Sequence, residues 1–214
     1  MDFKKIIPKK VRINGEDEFF KSAVLALLMK VNNEWSFIFQ KRSKNIRQGG
    51  EISFPGGRFD ERYDKTFKDT ALRETEEELL ISRDEINVIG ELDTIIAPMG
   101  ALIRPFLATT SLNSLKDIKF NKDEVEYLFT VPLKYFIDTP PNEYQIVLKA
   151  HSKVIKKNGD IIDMFPAKKL GLPEKYHDIW GNIKQKVYLY NYNDEIIWGL
   201  TAKIIHNIVQ NIKQ

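Results

Sequence analysis

The chain of 214 residues has no cysteine, which excludes disulfide bonds and thiolate metal ligands. A chain without cysteine suits a reducing compartment, and we therefore expect a cytoplasmic protein. Long apolar runs are also missing. The stretch AVLALLM (23–29) is far too short to cross a bilayer, and it lacks the layout of a cleavable signal peptide. We therefore predict no membrane partner.

An excess of charge of one sign is missing as well. The net charge of +3 arises from 33 basic and 30 acidic residues, which is too small to indicate nucleic-acid binding by itself. No repeat, low-complexity tract or Gly/Ser-rich linker interrupts the chain. Its 43% of hydrophobic and 29% of charged residues are typical of a globular protein, so we predict one domain over residues 1–214.

The hydrophobic pattern predicts strands at both ends of the chain with helices between them. Strands are predicted over 22–30, 35–42, 51–57, 87–93 and 101–109, and short or amphipathic helices over 66–80, 123–129 and 198–213. In the last helix one apolar face is predicted to comprise Leu200, Ile204, Ile205, Ile208, Val209 and Ile212. Residues 140–192 are rich in strand patterns but irregular. This order of elements favours a mixed architecture of helices layered on a sheet.

The helix predicted after Thr66, a plausible N-cap, contains an acidic cluster in the segment ALRETEEELL (71–80). Residues three and four apart are neighbours on a helix, so Glu74, Glu77 and Glu78 project from one side. Their carboxylates are hard oxygen ligands of the kind that Mg²⁺ or Mn²⁺ prefers. The alternative is a solvated charged face, for which glutamate-rich helices are common.

The segment FPGG (54–57) stands upstream of this helix, at the end of a predicted strand. Glycine allows the backbone to approach a ligand closely, although a tight turn would need the same residues. Arg73 can also pair with Glu77 across one helical turn and hold its carboxylate. Together, a strand, a double-glycine turn and a helix with Arg-Glu-x-x-Glu-Glu indicate a metal site more specifically than the turn or the helix alone.

At this point the sequence resembles the Nudix hydrolase family, whose box reads Gly-x5-Glu-x7-Arg-Glu-U-x-Glu-Glu-x-Gly-U, with U an aliphatic residue. Gly57 opens the box and Ile81 closes it. The central Arg-Glu-x-x-Glu-Glu positions are filled by Arg73, Glu74, Glu77 and Glu78. The spacing from Gly57 to the arginine is two residues longer than in the generic box, Tyr63 stands where the box has glutamate, and Leu80 replaces its glycine.

The resemblance implies an α+β fold, an α/β/α sandwich around a mixed β-sheet. It also implies that Mg²⁺ or Mn²⁺ is bound by Glu74, Glu77 and Glu78, with the carbonyl of Gly56 as a further ligand. Arg73 would orient a glutamate. Members of the family differ in which glutamate acts as the general base, so Glu74 and Glu78 both stay open for that role.

Four further segments are similar to one branch of the family, the coenzyme A pyrophosphatases. They are KRSKNIRQGGEISFPGG (41–57), LDTIIAPMGALIRPFLA (92–108), NKDEVEYLFTVPLKYF (121–136) and IWGLTAKII (197–205). The first of them lacks the histidine of the branch and is one residue shorter. Residues 138–192 are longer than is usual for the branch, and we predict that they form an elaborated segment.

The branch implies hydrolysis of coenzyme A or acyl-CoA to 3′,5′-ADP and (acyl-)4′-phosphopantetheine. A carboxylate cluster would repel a diphosphate unless a divalent metal lay between them. Arg42, Arg47 and Arg104 are candidates for binding further phosphates, since arginine suits phosphate geometry; the alternative is surface solubility.

Three other functions stay open at this stage. The substrate could be ADP-ribose or a dinucleotide, the chain could be a non-catalytic Nudix sensor of a small ligand, or the acidic helix could belong to an interaction domain. The complete set of glutamates disfavours the sensor, because such modules often lose these residues. An apolar terminal helix and strand edges make a homodimer plausible.

Overall fold

The structure is a computed structural model, and it is described for residues 7–8, 13–98 and 100–214. The strands in these ranges are β1 (Phe20–Val31), β2 (Glu34–Arg42), β3 (Ile52–Ser53), β4 (Gly56–Arg58), β5 (Ile86–Glu91), β6 (Ile95–Ala97), β7 (Ala101–Thr110), β8 (Val125–Pro132), β9 (Asn142–Ala150), β10 (Lys153–Ile155), β11 (Ile161–Asp163), β12 (Trp180–Tyr192) and β13 (Glu195–Trp198). The α-helices are α1 (Phe67–Leu79), α2 (Leu133–Asp138) and α3 (Gly199–Lys213).

The central sheet is mixed and has β1 in its middle. Its main path runs β3-β2-β1-β7-β5, while β4 pairs with β1, β6 with β7 and β8 with β2. The pair β1–β7 is parallel, and the other pairs are antiparallel. The apolar run in β1 suits this position, because a central strand is covered on both of its faces.

A helical layer covers each face of this sheet. On one face α1 packs through Ala71 and Leu79 against Leu25 and Leu27 of β1 and their neighbours. On the other face α2 and α3 enclose a core that includes the stacked rings of Phe39 and Phe54. The predicted fold class, an α+β fold with a mixed sheet, is confirmed.

The start of α1 is fixed by a reciprocal capping box. The Thr66 hydroxyl accepts a hydrogen bond from the Asp69 amide, and the Asp69 carboxylate accepts one from the Thr66 amide at 2.7 Å. The helix ends at Leu79, and its C-cap Leu80 has a left-handed φ of 51°. Glycine is the usual residue for this conformation, so Leu80 occupies the position of the box glycine at some cost in backbone strain.

Residues 142–192 form an extension, here called the arm. Its long strands β9 and β12 pair antiparallel, and β10 pairs with β11 as a separate hairpin. Both β9 and the outer half of β12 are largely exposed. The base of the arm is held by β13 and α3, where Tyr190 is buried and the Tyr188 ring stacks on His206 at 4.2 Å. No α-helix in the described ranges is long and apolar enough to span a bilayer.

Three predicted elements differ from the structure. Residues 123–129 were predicted as helix, but β8 pairs there with β2 as a strand, because Val125 and Val131 are buried against the sheet. The double glycine does not simply end a strand, since Gly56 and Gly57 begin β4. In α3 the predicted apolar face is too long: Leu200 and Ile212 are exposed, because they lie near the two ends of the helix.

Candidate active site

The glutamates of α1 differ in exposure. Glu78 is only 2% exposed, Glu74 is half-buried and Glu77 is exposed. Glu76 points away from this group and pairs with Arg83 of the following turn at 3.1 Å. Glu78 therefore lies against the sheet, Glu77 lies in solvent, and Glu74 has an intermediate exposure. Their spacing of three and four residues places all three on one side of the helix.

The Glu78 carboxylate lies beside the glycine turn. It accepts a hydrogen bond from the Gly56 amide at 3.0 Å, and its second oxygen lies 3.5 Å from Nη1 of Arg42. Burial raises the pKa of the Glu78 carboxyl to about 7, even though the Gly56 amide and Arg42 favour the charged form. This carboxyl is thus able to hold or release a proton near neutral pH.

The Glu74 carboxylate lies against Gly57. A Cβ atom at Gly57 would stand 2.3 Å from the Glu74 carboxylate, so only glycine leaves room for this side chain. Burial raises the pKa of Glu74, and the neighbouring Arg73 only partly offsets that effect. The two glycines thus have separate tasks: Gly56 donates to Glu78, and Gly57 leaves space for Glu74.

Arg73 connects the acidic residues to each other and to the turn. Its guanidinium lies 2.9 Å from a Glu74 oxygen and 3.1 Å from a Glu77 oxygen, so the predicted pairing with Glu77 is present. It also donates to the Asp64 carboxylate at 2.9 and 3.0 Å and to the carbonyl of Arg58 at 3.2 Å. Arg73 therefore fixes α1 to β4 and to the loop between them.

Asp64 is a site residue that the sequence analysis did not assign. Burial raises its pKa, but hydrogen bonds from Arg73, the Asp60 amide and Thr70 outweigh burial and hold the pKa of the carboxyl below its ordinary value. Asp64 is therefore a charged anchor for Arg73. The available signal was an acidic residue next to Tyr63, which stands at the glutamate position of the box.

The chemistry of the donor set fits a divalent cation. The Glu78 carboxyl is buried, the Glu74 carboxyl is half-buried, and both have raised pKa values, so a bound cation would relieve the cost of charging them. Within the described residues, no three Asp, Glu, His or Cys side chains are already gathered around one point. In this arrangement Arg73 neutralises part of the acidic charge instead.

The three predicted substrate arginines make different contacts. Arg42 reaches Glu78, and its Nη2 lies 3.5 Å from the Arg47 carbonyl. The Arg47 guanidinium lies over the ring of Phe20, the first residue of β1, 5.9 Å from the ring centroid. Arg104 pairs with Glu91 and lies 4.8 Å from the ring centroid of Phe67. Of the three, Arg42 is the one in direct contact with a predicted metal ligand.

Comparison of the sequence with known proteins gives a matching family. A family model described as NUDIX domain matches residues 20–154. The chain is 28% identical over 179 residues to "Uncharacterized Nudix hydrolase NudL" of Photorhabdus laumondii subsp. laumondii, covering 83% of this chain and 78% of that protein. It is 29% identical over 182 residues to the protein of the same name in Yersinia pestis (strain Pestoides F), covering 84% and 73%.

A Nudix hydrolase from M. smegmatis, RenU, is similar with a TM-score of 0.45 and 19% identity, over 57% of this chain and 78% of that chain.

Proposed function

The chain belongs to the Nudix family, and from that premise we propose that it cleaves the diphosphate of coenzyme A or acyl-CoA. The products would be 3′,5′-ADP and (acyl-)4′-phosphopantetheine. Membership of the family makes the chain a hydrolase of pyrophosphate bonds in small nucleoside diphosphate derivatives, and enzymes of this family generally use divalent cations.

One observation carries the proposal: Arg42, at the end of β2, contacts both the β2–β3 loop ahead of the glycine turn and the acidic helix α1. Its guanidinium contacts the buried Glu78 and lies near the carbonyl of Arg47. Residues 41–57, which contain both arginines, are also the segment that is similar to the coenzyme A branch. The same segment thus supplies phosphate-binding groups and a contact to a proposed metal ligand.

The proposed metal ligands are Glu74, Glu77, Glu78 and the carbonyl of Gly56. A bound Mg²⁺ or Mn²⁺ would neutralise phosphate charge and lower the pKa of a water molecule. Arg73 positions Glu74 and Glu77 through its contacts of 2.9 and 3.1 Å.

Proton transfer falls to one of two carboxylates. Glu78 and Glu74 are the two candidates for the general base, and in the metal-free protein burial raises the pKa of both carboxyls. Arg42, Arg47 and Arg104 are proposed to contact the phosphates, Arg104 after release from Glu91. Each of these roles places a cation opposite a phosphate oxygen.

A substrate panel tests this proposal. The protein is incubated with Mg²⁺ or Mn²⁺ and coenzyme A, acyl-CoA, ADP-ribose, NADH or dinucleoside polyphosphates, and the products are identified. We expect 3′,5′-ADP from coenzyme A, and a strong loss of turnover in Glu77→Gln and Glu78→Gln. Glu76→Gln is the matched control, because Glu76 pairs outward with Arg83.

The possible results separate the parts of the proposal. Faster cleavage of ADP-ribose than of coenzyme A would overturn the substrate assignment alone. Turnover that both glutamine variants leave undiminished would overturn the catalytic roles, and no turnover of any diphosphate would overturn the whole proposal. The predicted homodimer and the predicted cytoplasmic location stay predictions.

A further inference from the structure

The strand β9 of the arm has an outer edge that is open in the described part of the chain. β9 is the last strand of the sheet β13-β12-β9 and pairs only with β12. Within the described ranges, no backbone–backbone hydrogen bond beyond this pairing involves residues 142–150. An edge of this kind presents N–H and C=O groups along its length, and these groups can pair with a strand of another chain.

This edge lacks several of the features that usually prevent such pairing. β9 is nine residues long and contains no proline, and its ladder with β12 is regular from Asn142 to Leu148. Three apolar side chains on β9 are about half exposed: Tyr144 at 56%, Ile146 at 46% and Val147 at 49%. Since free edge strands are usually short, bulged or interrupted by proline, β9 has the character of a strand with a partner.

The outer part of the arm is also thin for a stable sheet. There the ribbon consists of β9 and β12 alone, because β13 pairs with β12 only from Leu189 to Tyr192. A two-stranded ribbon is marginally stable in water, and three or more strands are needed for independent stability. A further strand at the outer edge of β9 would therefore stabilise the arm.

The charges of β9 indicate which strand fits this edge. Glu143 and Lys149 lie at equal distances from Ile146, the middle residue of β9, and they have opposite signs. If β9 pairs antiparallel with a second copy of itself over all nine residues, Ile146 lies opposite its own counterpart. Glu143 of each copy then lies opposite Lys149 of the other. Opposite charges in directly opposite positions stabilise a strand pair, whereas like charges destabilise it.

The same register keeps the apolar side chains together. Alternation along β9 places Tyr144, Ile146 and Leu148 on one face. With the two-fold axis perpendicular to the sheet, Tyr144 of each copy lies opposite Leu148 of the other, and both apolar faces lie on one side. A shift by one residue would turn these faces to opposite sides. A shift by two residues would no longer place Glu143 opposite Lys149.

We propose that the protein forms a two-fold symmetric dimer in which β9 pairs antiparallel with β9 of a second copy, centred on Ile146. A second copy is the occupant that matches the order of charges along this edge. Lys149 forms no ion pair among the described residues, so it is available to Glu143 of the other copy. The two ribbons would join into one four-stranded sheet. This inference does not depend on the proposed function.

Sedimentation velocity of the full chain tests the charge pairs. We expect a dimer for the wild type at micromolar concentration. In Glu143→Lys and in Lys149→Glu like charges would lie opposite each other at both ends of the strand pair, so the dissociation constant should rise at least about tenfold. An equimolar mixture of the two variants should form a dimer again, because each changed charge then lies opposite a charge of the other sign.

The control variant is Lys157→Glu, which changes the same charge in the exposed turn between β10 and β11. It should leave the dimer intact, and a loss as large as in Lys149→Glu would overturn the inference. A monomeric wild type, or a dimer that both charge variants retain, would overturn it too. So would a mixture that stays monomeric although thermal unfolding shows that both variants are folded.

A cysteine cross-link tests the register. The chain has no cysteine, so a single introduced thiol can form a disulfide only between two copies. In Ile146→Cys the two thiols would lie opposite each other within reach of a disulfide, and oxidation should give a covalent dimer on a non-reducing gel. In Tyr144→Cys the two thiols would be roughly 14 Å apart and should not cross-link.

The cross-linking results decide the centre of the pairing. Equal cross-linking of Ile146→Cys and Tyr144→Cys, or none in Ile146→Cys, would overturn the inference. Sedimentation and cross-linking need no substrate, so a failure of the proposed function would leave both results unchanged.

Discussion

The acidic helix α1 and the arm differ in how far they bury residues of the same types. In α1 the carboxylate of Glu78 is buried, and Leu79 beside it is fully enclosed. In the arm Glu143 lies in solvent with Lys186, and Leu170 is 60% exposed. In α1 a carboxylate is buried as well as an apolar side chain, and burial raises the free energy of the charged form of that carboxylate.

Charge also differs between the two regions. The arm contains nine lysines and five acidic residues, whereas ALRETEEELL (71–80) contains four glutamates and one arginine. The family match over 20–154 covers all of α1 and ends within β10, so most of the arm lies beyond it. The family model thus matches the central sheet and α1 but only the first part of the arm.

The largest expected effect tests whether catalysis depends on α1 and not on the arm. Glu78→Gln should lower kcat by roughly 100- to 10,000-fold, because a candidate ligand and general base is lost. The matched change in the arm, Glu143→Gln, removes an exposed partner of Lys186 and should change kcat less than about twofold. Release of nucleotide product at saturating Mg²⁺ measures both. A comparable loss in the two variants would place the arm within the catalytic machinery.

Apolar burial gives the second test. Leu79→Ala should lower the free energy of unfolding by about 2–5 kcal/mol, since Leu79 is 0% exposed. Leu170→Ala, at 60% exposure, should change it by less than about 0.5 kcal/mol. Urea unfolding measures both values. A large loss for Leu170→Ala would mean that the arm is covered in the assembled protein, as in the predicted homodimer.

The pH dependence of stability gives the third. Burial raises the pKa of Glu78 from 4.5 to about 7, so the folded metal-free protein binds this proton more tightly than the unfolded chain does. The contribution of this proton to the free energy of unfolding is fully present below pH 4.5 and is lost as the pH rises to about 7. Its size is roughly 3 kcal/mol.

Denaturant titrations of the metal-free protein from pH 5 to pH 8 measure this slope, which Glu78→Gln should flatten. Glu143 in the arm should change the free energy of unfolding with pH in the opposite direction, because the hydrogen bond from Lys186 lowers the pKa of Glu143. That contribution is present above the ordinary pKa and is lost as the pH falls. Equal slopes in the wild type and Glu78→Gln would contradict the assignment.

The smallest expected effect concerns the close approach of Gly57 to Glu74. Gly57→Ala would place a Cβ atom 2.3 Å from that carboxylate and displace it. The Mg²⁺ concentration for half-maximal activity should then rise roughly 10- to 100-fold. Gly90→Ala in β5 is the control, because a Cβ atom there meets nothing within 4 Å. An unchanged Mg²⁺ dependence in Gly57→Ala would argue against Glu74 as a ligand.

Local signals in the sequence predicted much of the region around α1. The hairpin of β1 and β2, the N-cap Thr66 and the contact of Arg73 with Glu77 all depend on residues close in the chain, and the structure confirms them. Patterns that depend on distant partners were less informative. The segment 123–129 has a helical pattern, yet pairing with β2 makes it a strand.

The site shows the same limit. Asp64 as a buried partner of Arg73, and Arg47 at the ring of Phe20, follow from how β1, β4 and the loops meet in space. No spacing rule within one segment brings these residues together. The arm was predicted only as irregular and rich in strands, because its ribbon pairs 142–150 with 180–192 across a separate hairpin.

The parallel pair β1–β7 has a consequence for the rate of folding. All of α1 lies in the chain between these two strands, so their nine paired positions form only after a long loop has closed. Such distant pairing slows folding. We therefore expect the protein to acquire its acidic site late and slowly, with the hairpin of β1 and β2 formed well before the middle of the sheet is complete.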